Sequence, residues 1–415
     1  MQRRRPLKVL LVGHACGVDL GSEPGLTWNW AHHLSASCEV WVLAHPRYQQ
    51  SVEAFLSEHP NANLHIVWTQ LPPAWDPWKP DRGEDGIRLH YLLWQHVASL
   101  QAKRLQRLHQ FSLVHHVSWN TISAPPWLWS LPLPFVWGPI GGGQTAPSSF
   151  RRYFGPGWRK EAVRSLRVGL LPWSPLLRRA VQKSALLLST NRETAQALEK
   201  AGAERVRLFP DNGIPPGLLP QNLPERKPET ALTLLWAGRL ERIKGLPLAL
   251  EALARVKSTP VRMLVAGDGP MDAPWRELTR TLGVQGSVEF LGRIPWREMP
   301  RLFLKADAFF CSSLRESFSS VIVEAMAHGL PVLTPAIHGA GTFVPDEAGI
   351  KAPVVTPEET VSILAQGIET LARRPDLRRN MGEAAYAYAK TQTWDRRAEQ
   401  MLRWYHEVLD AHCAL

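Results

Sequence analysis

The back half of this 415-residue chain alternates short apolar runs with helix-like segments, and each run ends in a glycine turn or a polar loop. The runs begin near Leu234, Met263, Ser287 and Ala308. Strands that alternate with helices predict a parallel sheet with crossover helices. Ligands bind such sheets outside the carboxyl ends of the strands. The sequence therefore predicts an α/β fold whose site lies in the loops after these runs.

Two carboxylates eight positions apart, Glu316 and Glu324, flank the start of a predicted helix that runs from Val321 to His328 and stops at Gly329. Free amides at a helix N-terminus favour an anion. Carboxylates beside an anion site are suited to binding hydroxyl groups. A nucleotide diphospho-sugar has both features, although a surface loop with two solvated glutamates is the simpler alternative.

Two cations follow the strand near Leu234. Arg239 carries a planar fork of donors, and Lys244 carries a point charge. At the carboxyl end of a strand, this pair suits a diphosphate. The next strand ends in a second glycine turn, at Gly267 and Gly269.

The motifs of this half resemble the donor half of the retaining glycosyltransferases of family 4, also called glycosyl transferases group 1. The resemblance rests on Arg239 with Lys244, Gly267–Pro270, Glu316–Glu324 and the following Ala325–Val332. It implies the GT-B fold, in which two Rossmann-like parallel-sheet domains face a cleft. It also implies transfer of a sugar from a nucleotide diphospho-sugar, UDP- or GDP-linked, with retention of the anomeric configuration.

The resemblance assigns roles to individual residues. Those expected to be catalytic are Glu316, His115, Arg239 and Lys244. Those expected to bind the donor are Arg239, Lys244, Gly267, Gly269, Phe318, Ser319, Glu324, Arg293, Gly21 and Gly25. No metal ligand and no cofactor are expected, because no Asp-x-Asp motif is present and two cations are available to neutralise the diphosphate.

The front half shows the same rhythm of strands and helices. Its first strand, Lys8–Val12, leads into a glycine-rich loop up to Gly25, with a helix predicted from Leu26. No G-x-G-x-x-G fingerprint is present, which argues against a dinucleotide oxidoreductase. The run Gly141, Gly142 and Gly143 is either a loop that binds phosphate or acceptor or a plain tight turn.

In the fourth strand either His115 or His116 can face the ligand, since successive side chains point to opposite faces; we favour His115.

Composition and proline content predict the domain organisation. The length suits two domains. Prolines cluster at 215–230, which predicts a linker there between domains at 1–214 and 231–390. The resemblance implies that the N-terminal domain is the acceptor side and that the domain at 231–390 binds the nucleotide-sugar. Residues 391–415 are predicted to form a helix, and the GT-B resemblance implies that it crosses back to the first domain. The four scattered cysteines argue against a disulfide framework or a zinc site.

The net charge of +11 is concentrated in one segment. Residues 151–183 carry a single acid, Glu161, with interleaved Trp and Leu and these cations: Arg151, Arg152, Arg159, Lys160, Arg164, Arg167, Arg178, Arg179 and Lys183. The pattern suits an anionic membrane surface, at about 1 kcal/mol per cation; a solvated helical face is the alternative. No nucleic-acid motif is found, so no nucleic-acid partner is expected. We therefore expect a cytoplasmic protein, peripheral on the inner face of the cell membrane.

The resemblance thus implies a retaining hexosyltransferase, and with the basic segment we expect it to glycosylate a glycan or a lipid-linked acceptor, in envelope or exopolysaccharide assembly. A GT-B nucleotide-sugar epimerase and a catalytically inactive membrane-associated binding protein are the alternatives. A starch- or glycogen-type synthase fits less well, because it lacks the basic, Trp-bearing segment.

Overall fold

The computed structural model describes residues 7–79, 83–119, 121–224, 231–257 and 259–413. The chain divides into two compact units. The first contains the residues up to Gly143, Gly169–Asn212 and the residues from Trp394 onwards. The second contains Gln144–Val168 and Gly213–Thr393.

The first unit is built on a seven-stranded parallel sheet. In chain order its strands are β1 Lys8–Gly13, β2 Glu39–Ala44, β3 Leu64–Trp68, β4 Leu113–Ser118, β5 Phe135–Ile140, β6 Leu186–Ser189 and β7 Val206–Leu208. Across the sheet the order is β3-β2-β1-β4-β5-β6-β7. Val9 and Leu11 of β1 pack into one apolar cluster, and Leu10 and Val12 into another. Both faces of the sheet are therefore covered, which explains why β1 reads as an unbroken apolar run.

The second unit is built on a six-stranded parallel sheet. Its strands are β8 Leu232–Ala237, β9 Val261–Ala266, β10 Val288–Gly292, β11 Ala308–Phe310, β12 Val332–Pro335 and β13 Gly349–Ala352. Across the sheet the order is β10-β9-β8-β11-β12-β13. Leu234 and Trp236 face one apolar cluster and Leu235 faces the other, so this sheet too is buried on both faces.

The helices connect the strands or cover the sheets. They are α1 Ser22–Leu34, α2 Gln49–Glu58, α3 Ile87–His109, α4 Trp158–Leu170, α5 Pro175–Gln182, α6 Arg192–Lys200, α7 Leu246–Arg255, α8 Asp272–Thr281, α9 Met299–Lys305, α10 Ser320–Ala327, α11 His338–Phe343, α12 Pro357–Arg373, α13 Pro375–Lys390 and α14 Trp394–Cys413. Of the helices described, none is both long and apolar enough to span a bilayer.

Helix α14 completes the core of the first unit. Trp394, Met401 and Tyr405 lie in the same apolar cluster as Trp30 of α1. Arg397, on the same helix, is buried with its guanidinium 4.0 Å from the ring centre of Phe209, and it donates a hydrogen bond to the carbonyl of Pro210. This cation is thus held by an aromatic face and a backbone acceptor.

The predicted fold of two Rossmann-like parallel sheets is confirmed. Element boundaries differ in two places. Helix α1 begins at Ser22 rather than Leu26, because Pro24 sits in the first turn, where a missing N–H costs nothing. Strand β5 runs on to Ile140, directly before the run Gly141–Gly143, rather than ending at Trp137 as its apolar residues predict.

The unit boundaries also differ from the predicted domains. Residues 144–168 belong to the second unit rather than to the first. Within the predicted linker at 215–230, residues 225–230 lie outside the described residues.

Candidate functional site

The loops at the carboxyl ends of β8 and β9 are joined backbone to backbone. The amide of Leu240 donates to the carbonyl of Asp268 at 2.7 Å, and the amide of Met271 donates to the carbonyl of Leu240 at 3.0 Å. Gly238 donates to Ala266 at 3.0 Å. Because these bonds fix the two loops together, the residues after β8 are held against the glycine turn after β9.

Glycine is required at two points of this junction. Gly267 has φ +144°, and a Cβ there would lie 1.9 Å from the carbonyl oxygen of Gly238. Gly269 has φ +150°, and its Cβ would lie 2.7 Å from the carbonyl oxygen of Leu240. Both predicted donor-binding glycines therefore serve a close approach of two backbones, in conformations that other residues rarely adopt.

The structure brings together Lys244 and Glu316, which are 72 positions apart. The Lys244 ammonium forms an ion pair with Oε1 of Glu316, while Oε2 accepts a 2.8 Å hydrogen bond from the hydroxyl of Ser313. The side chains of Lys244 and Glu316 are 16% and 24% exposed, so the pair is accessible without being freely solvated. A partly buried cation beside a carboxylate can neutralise a phosphate while the carboxylate accepts from hydroxyl groups.

The loop that carries Glu316 is fastened to the end of β8. Ser312 accepts a 2.9 Å hydrogen bond from the indole of Trp236 and donates one of 2.9 Å to the carbonyl of Lys244. The amide of Leu314 donates to the carbonyl of Ile243 at 2.8 Å. Because Lys244 and Glu316 sit on two loops bonded to each other, their pairing is set before any ligand arrives.

Helix α10 begins directly after this loop. Ser319 is its N-cap and is buried, and Phe318 is buried with its ring 5.3 Å from that of Phe343. A Cβ on Gly339 of α11 would lie 2.2 Å from the carbonyl oxygen of Ser317, so glycine lets the start of α11 approach this loop. The N-terminus of α10 is thereby held in place by packed residues, and the positive end of its helix dipole lies at the loop that carries Glu316.

Glu324 lies in the middle of α10 with a partly buried carboxyl group. Burial raises its pKa to about 7, although Trp296 and Ser320 donate hydrogen bonds that oppose the shift. The indole of Trp296 reaches Oε1 at 3.3 Å. The group thus changes charge near neutral pH, and only the ionised form is a pure acceptor.

Two predicted donor-binding cations lie at the surface. The Arg239 side chain is 74% exposed and forms an ion pair of 3.2 Å with Glu241. Arg293 is exposed after β10. The structure therefore brings Lys244, but not Arg239, into the pair with Glu316.

Sequence reasoning missed the second-unit residues that hold the Glu316 loop from the side. Arg315 forms an ion pair with Glu161 of α4 and donates a hydrogen bond of 3.2 Å to its Oε1, and Gln144 donates to Ser317 at 3.0 Å. Their signal was weak: Glu161 is the single acid in a basic segment. Ser313 could be recognised more easily from the sequence, because it lies three residues before Glu316.

The glycines predicted in the first unit are structural in their contacts. Gly21 is the N-cap of α1, and Gly25 lies within its first turn, where a Cβ would be 1.8 Å from the carbonyl oxygen of Leu20. The amide of Gly143 donates to Thr194 at 3.0 Å. Of the run at 141–143, this amide is thus already used by α6, and the predicted ligand roles of these glycines stay predictions.

His115 and His116 are both buried in β4. His115 donates from Nε2 to the carbonyl of Gly138 at 2.8 Å and accepts at Nδ1 from the hydroxyl of Tyr405 at 2.5 Å. Burial lowers the pKa of His115 to about 4 and that of His116 to about 3, so both are neutral at pH 7. His116 has Nε2 3.1 Å from the Tyr91 hydroxyl. The catalytic role favoured for His115 stays a prediction.

A family model described as "Glycosyl transferases group 1" matches residues 222–388, which contain Lys244, Glu316 and Glu324. Among curated proteins, a D-inositol 3-phosphate glycosyltransferase of Corynebacterium urealyticum is 31% identical over 192 residues. The match covers 44% of this chain and 44% of that protein, so the chain spans less than half the length of this relative.

Solved structures resemble the whole chain. Sucrose-phosphate synthase from Thermosynechococcus elongatus gives a TM-score of 0.65 at 16% identity, with 98% of this chain and 100% of that chain covered. HepE from Anabaena in complex with UDP-glucose gives 0.59 at 18% identity, with 96% and 99% covered. The lipopolysaccharide outer core galactosyltransferase WaaB gives 0.66 at 12% identity, with 95% and 98% covered. The two-sheet fold is therefore that of the GT-B glycosyltransferase structures.

Proposed function

We propose that the chain is a group 1 glycosyltransferase of family 4 that moves a hexose from a UDP- or GDP-linked donor to a hydroxyl group, with retention. The observation that carries the proposal is the Lys244–Glu316 pair, held on two bonded loops at the carboxyl edge of the second sheet. The match of residues 222–388 to the family model supports it.

The chemistry assigned to this site is electrostatic. As the bond between sugar and diphosphate breaks, negative charge grows on the leaving phosphate. Lys244 neutralises that charge together with the amides at the start of α10, and Arg239 joins by turning from Glu241 towards the diphosphate. Once the ammonium has moved to the phosphate, Glu316 accepts hydrogen bonds from the sugar. Glu324 accepts from the ribose diol. No metal is needed for these steps.

Thermal unfolding with UDP, GDP, ADP and CDP, with and without EDTA, tests the donor site. A ligand at 100 times its Kd adds about 2.7 kcal/mol to the free energy of unfolding. We expect one diphosphate to stabilise the protein in the presence of EDTA, and an Arg239→Ala/Lys244→Ala double variant to lose the effect. Arg280→Ala is the matched control, because Arg280 is an exposed cation of the same unit paired with Glu277. Equal stabilisation of the double variant would contradict the proposal.

Product analysis separates transfer from the alternatives. We expect ¹H NMR to detect slow release of the sugar from the donor, first in the retained anomeric configuration. An epimerase would instead convert the donor into its epimer without release. An inactive binding protein would bind the nucleotide and leave the donor intact.

The proposed acceptor is a glycan or a lipid-linked glycan of the envelope or an exopolysaccharide, reached at an anionic membrane surface. Helix α4 supports this, because Val163, Leu166 and Leu170 recur at helical spacing and are 50%, 66% and 59% exposed. Arg159, Lys160 and Arg167 lie on the same helix. Apolar side chains among cations suit insertion between acidic lipid headgroups.

Vesicle co-sedimentation tests this surface. We expect binding to vesicles that contain phosphatidylglycerol, weakened by salt and by Leu166→Ser/Leu170→Ser, with no binding to pure phosphatidylcholine. Leu304→Ser is the matched control, since Leu304 is an exposed leucine of α9 (53%) outside the basic segment. Salt-independent binding to both vesicle types would contradict the electrostatic account.

A further inference from the structure

Four polar side chains converge in the first unit. His14 directly follows β1, His45 directly follows β2, His90 lies in the first turn of α3, and Asp76 lies in the connection between β3 and α3. One potential ligand atom from each of His45, Asp76 and His90 lies within 4.8 Å of the others. Parallel strands bring β1 and β2 side by side, so their carboxyl ends deliver His14 and His45 to one place.

Contacts within the cluster centre on His90, which is fully buried. Its Nδ1 donates to Oδ1 of Asp76 at 2.6 Å, and its Nε2 lies 2.9 Å from Nε2 of His14. A metal ion bound by Nδ1 of His90 and a carboxylate oxygen of Asp76 would take the place of the proton between them. Nε2 of His90 would keep its contact with His14, so that the second ring nitrogen has a hydrogen-bonding partner, as that of a metal-bound imidazole usually does.

The backbone places Asp76 beside His90. Gly86 has φ +80°, and a Cβ there would lie 2.3 Å from the carbonyl oxygen of Pro77. Only glycine therefore allows the segment with Asp76 to approach the start of α3 so closely. The amide of Trp78 donates to Oδ1 of Asp76 at 3.0 Å and orients the carboxylate.

Aromatic rings enclose the cluster. The ring of His14 lies 5.0 Å from that of Trp94, 5.6 Å from Tyr91, 5.9 Å from Trp119 and 6.2 Å from Trp78. His14, His45 and His90 are buried, and the Asp76 side chain is 13% exposed. Such surroundings exclude water and strengthen the attraction between a cation and its ligands.

We propose that this cluster binds one zinc-like divalent cation through His45, Asp76 and His90, with His14 as the positioning residue of His90. Two imidazoles and one carboxylate suit zinc and its first-row neighbours, whereas magnesium and calcium prefer oxygen ligands alone. Ligand atoms around a tetrahedral zinc lie about 3.3 Å apart, so small side-chain rotations close the site. The exposed cation Arg47, two residues after His45, stacks on Trp78 at 5.0 Å and is screened by solvent.

The bound cation would fasten the connection between β3 and α3 to the carboxyl ends of β1 and β2. The proposed cation takes no part in the diphosphate chemistry proposed above, which needs no metal. Failure of one proposal therefore leaves the other standing.

Metal analysis of the full chain tests the site. The probes are Zn²⁺ and Co²⁺, added to EDTA-treated protein in a Cys413→Ser background that removes the exposed thiol. We expect one equivalent of zinc by mass spectrometry, a visible Co²⁺ spectrum of a four-coordinate site, and a higher melting temperature with zinc. His45→Gln and Asp76→Asn should abolish binding, and His14→Gln should weaken it about 10- to 100-fold.

His65→Gln is the matched control, since Nε2 of His65 lies 3.8 Å from a carboxylate of the same unit, that of Glu39, and the described residues that could hold a metal ion do not include this pair. It should bind zinc as the parent does. X-ray absorption of the parent zinc form gives a readout that needs no variant, and we expect nitrogen and oxygen ligands with imidazole scattering. Absence of stoichiometric zinc, unchanged binding in Asp76→Asn, or sulfur ligation would overturn the proposal.

Discussion

At the scale of single residues, Glu324 links the site to pH. Its pKa is raised from 4.5 to about 7 mainly by burial. Because this pKa is higher in the folded than in the unfolded state, the protonated carboxyl group stabilises the fold. The stabilisation is fully present below pH 4.5 and is lost as the pH rises through 7. The ionised carboxylate, however, is the better acceptor for a ribose diol. Stability and nucleotide affinity should therefore change in opposite directions over this range.

We predict that the affinity for the preferred nucleoside diphosphate rises about tenfold between pH 6 and pH 8, because the ionised fraction of a group with a pKa of 7 rises by that factor. Titration calorimetry at several pH values measures it. Glu324→Gln removes this carboxyl and keeps the titration of the ligand phosphate, so its residual pH dependence is the baseline. Equal pH profiles for the two proteins would remove Glu324 from nucleotide binding.

Residue types and spacing predicted Lys244, Glu316 and Glu324 as candidates, but not their partners. The Lys244–Glu316 pair depends on two loops bonded through Ser312, a contact between distant positions that no local pattern encodes. The environment of His115 is set by Tyr405, 290 positions away. The histidine cluster could in part be predicted from the sequence, because His14 and His45 each directly follow an apolar run.

At the scale of elements, two glycine turns hold the site loops together. We predict that Gly269→Ala lowers the free energy of unfolding by more than the roughly 1–3 kcal/mol typical of a strained backbone alone. Its Cβ would also push the carbonyl of Leu240 away, and with it the loop that carries Lys244. Urea unfolding and nucleotide affinity measure the two effects.

The variant Gly283→Ala separates the effect of backbone strain from the effect of a steric clash. Gly283 has φ +71°, but a Cβ there would meet nothing within 4 Å. We expect it to lose stability from the backbone conformation and to keep its nucleotide affinity. A Gly269→Ala variant that binds nucleotide as well as Gly283→Ala does would show that the junction can move without harm to the site.

The helices and strands were predicted more accurately than the residues at which they begin and end. Unbroken apolar runs such as β1 read as strands because both faces of the sheet are covered. The first turn of α1 was missed because Ser22, Pro24 and Gly25 resemble a loop. Pro24 is tolerated there, and Gly25 is needed for the close approach to Leu20.

At the scale of the whole molecule, α14 joins the two ends of the chain in one core. We predict that a chain ending at Thr393 loses the folded first unit, because Trp394, Met401 and Tyr405 leave the cluster shared with Trp30. Calorimetry should then show one unfolding transition, which the preferred diphosphate still shifts upward through the second unit. Arg403→Ala is the control, an exposed change on the same helix. A truncated chain with the full unfolding enthalpy would contradict the role of α14.

The division into units was the least predictable feature. Residues 144–168 lie before the last strands of the first sheet in sequence, yet they belong to the second unit through contacts such as Arg315 with Glu161. The sequence of the basic segment does not indicate that it belongs to the second unit, because one ion pair among many cations forms no recognisable pattern.

The place of α14 has a consequence for how the protein is made. The ribosome releases the seven strands of the first sheet early, but the helix that covers Trp30 emerges only after the entire second unit. Until then the nascent chain exposes an apolar face that a chaperone can hold. The second unit can fold first, so translation would complete the two halves in reverse order.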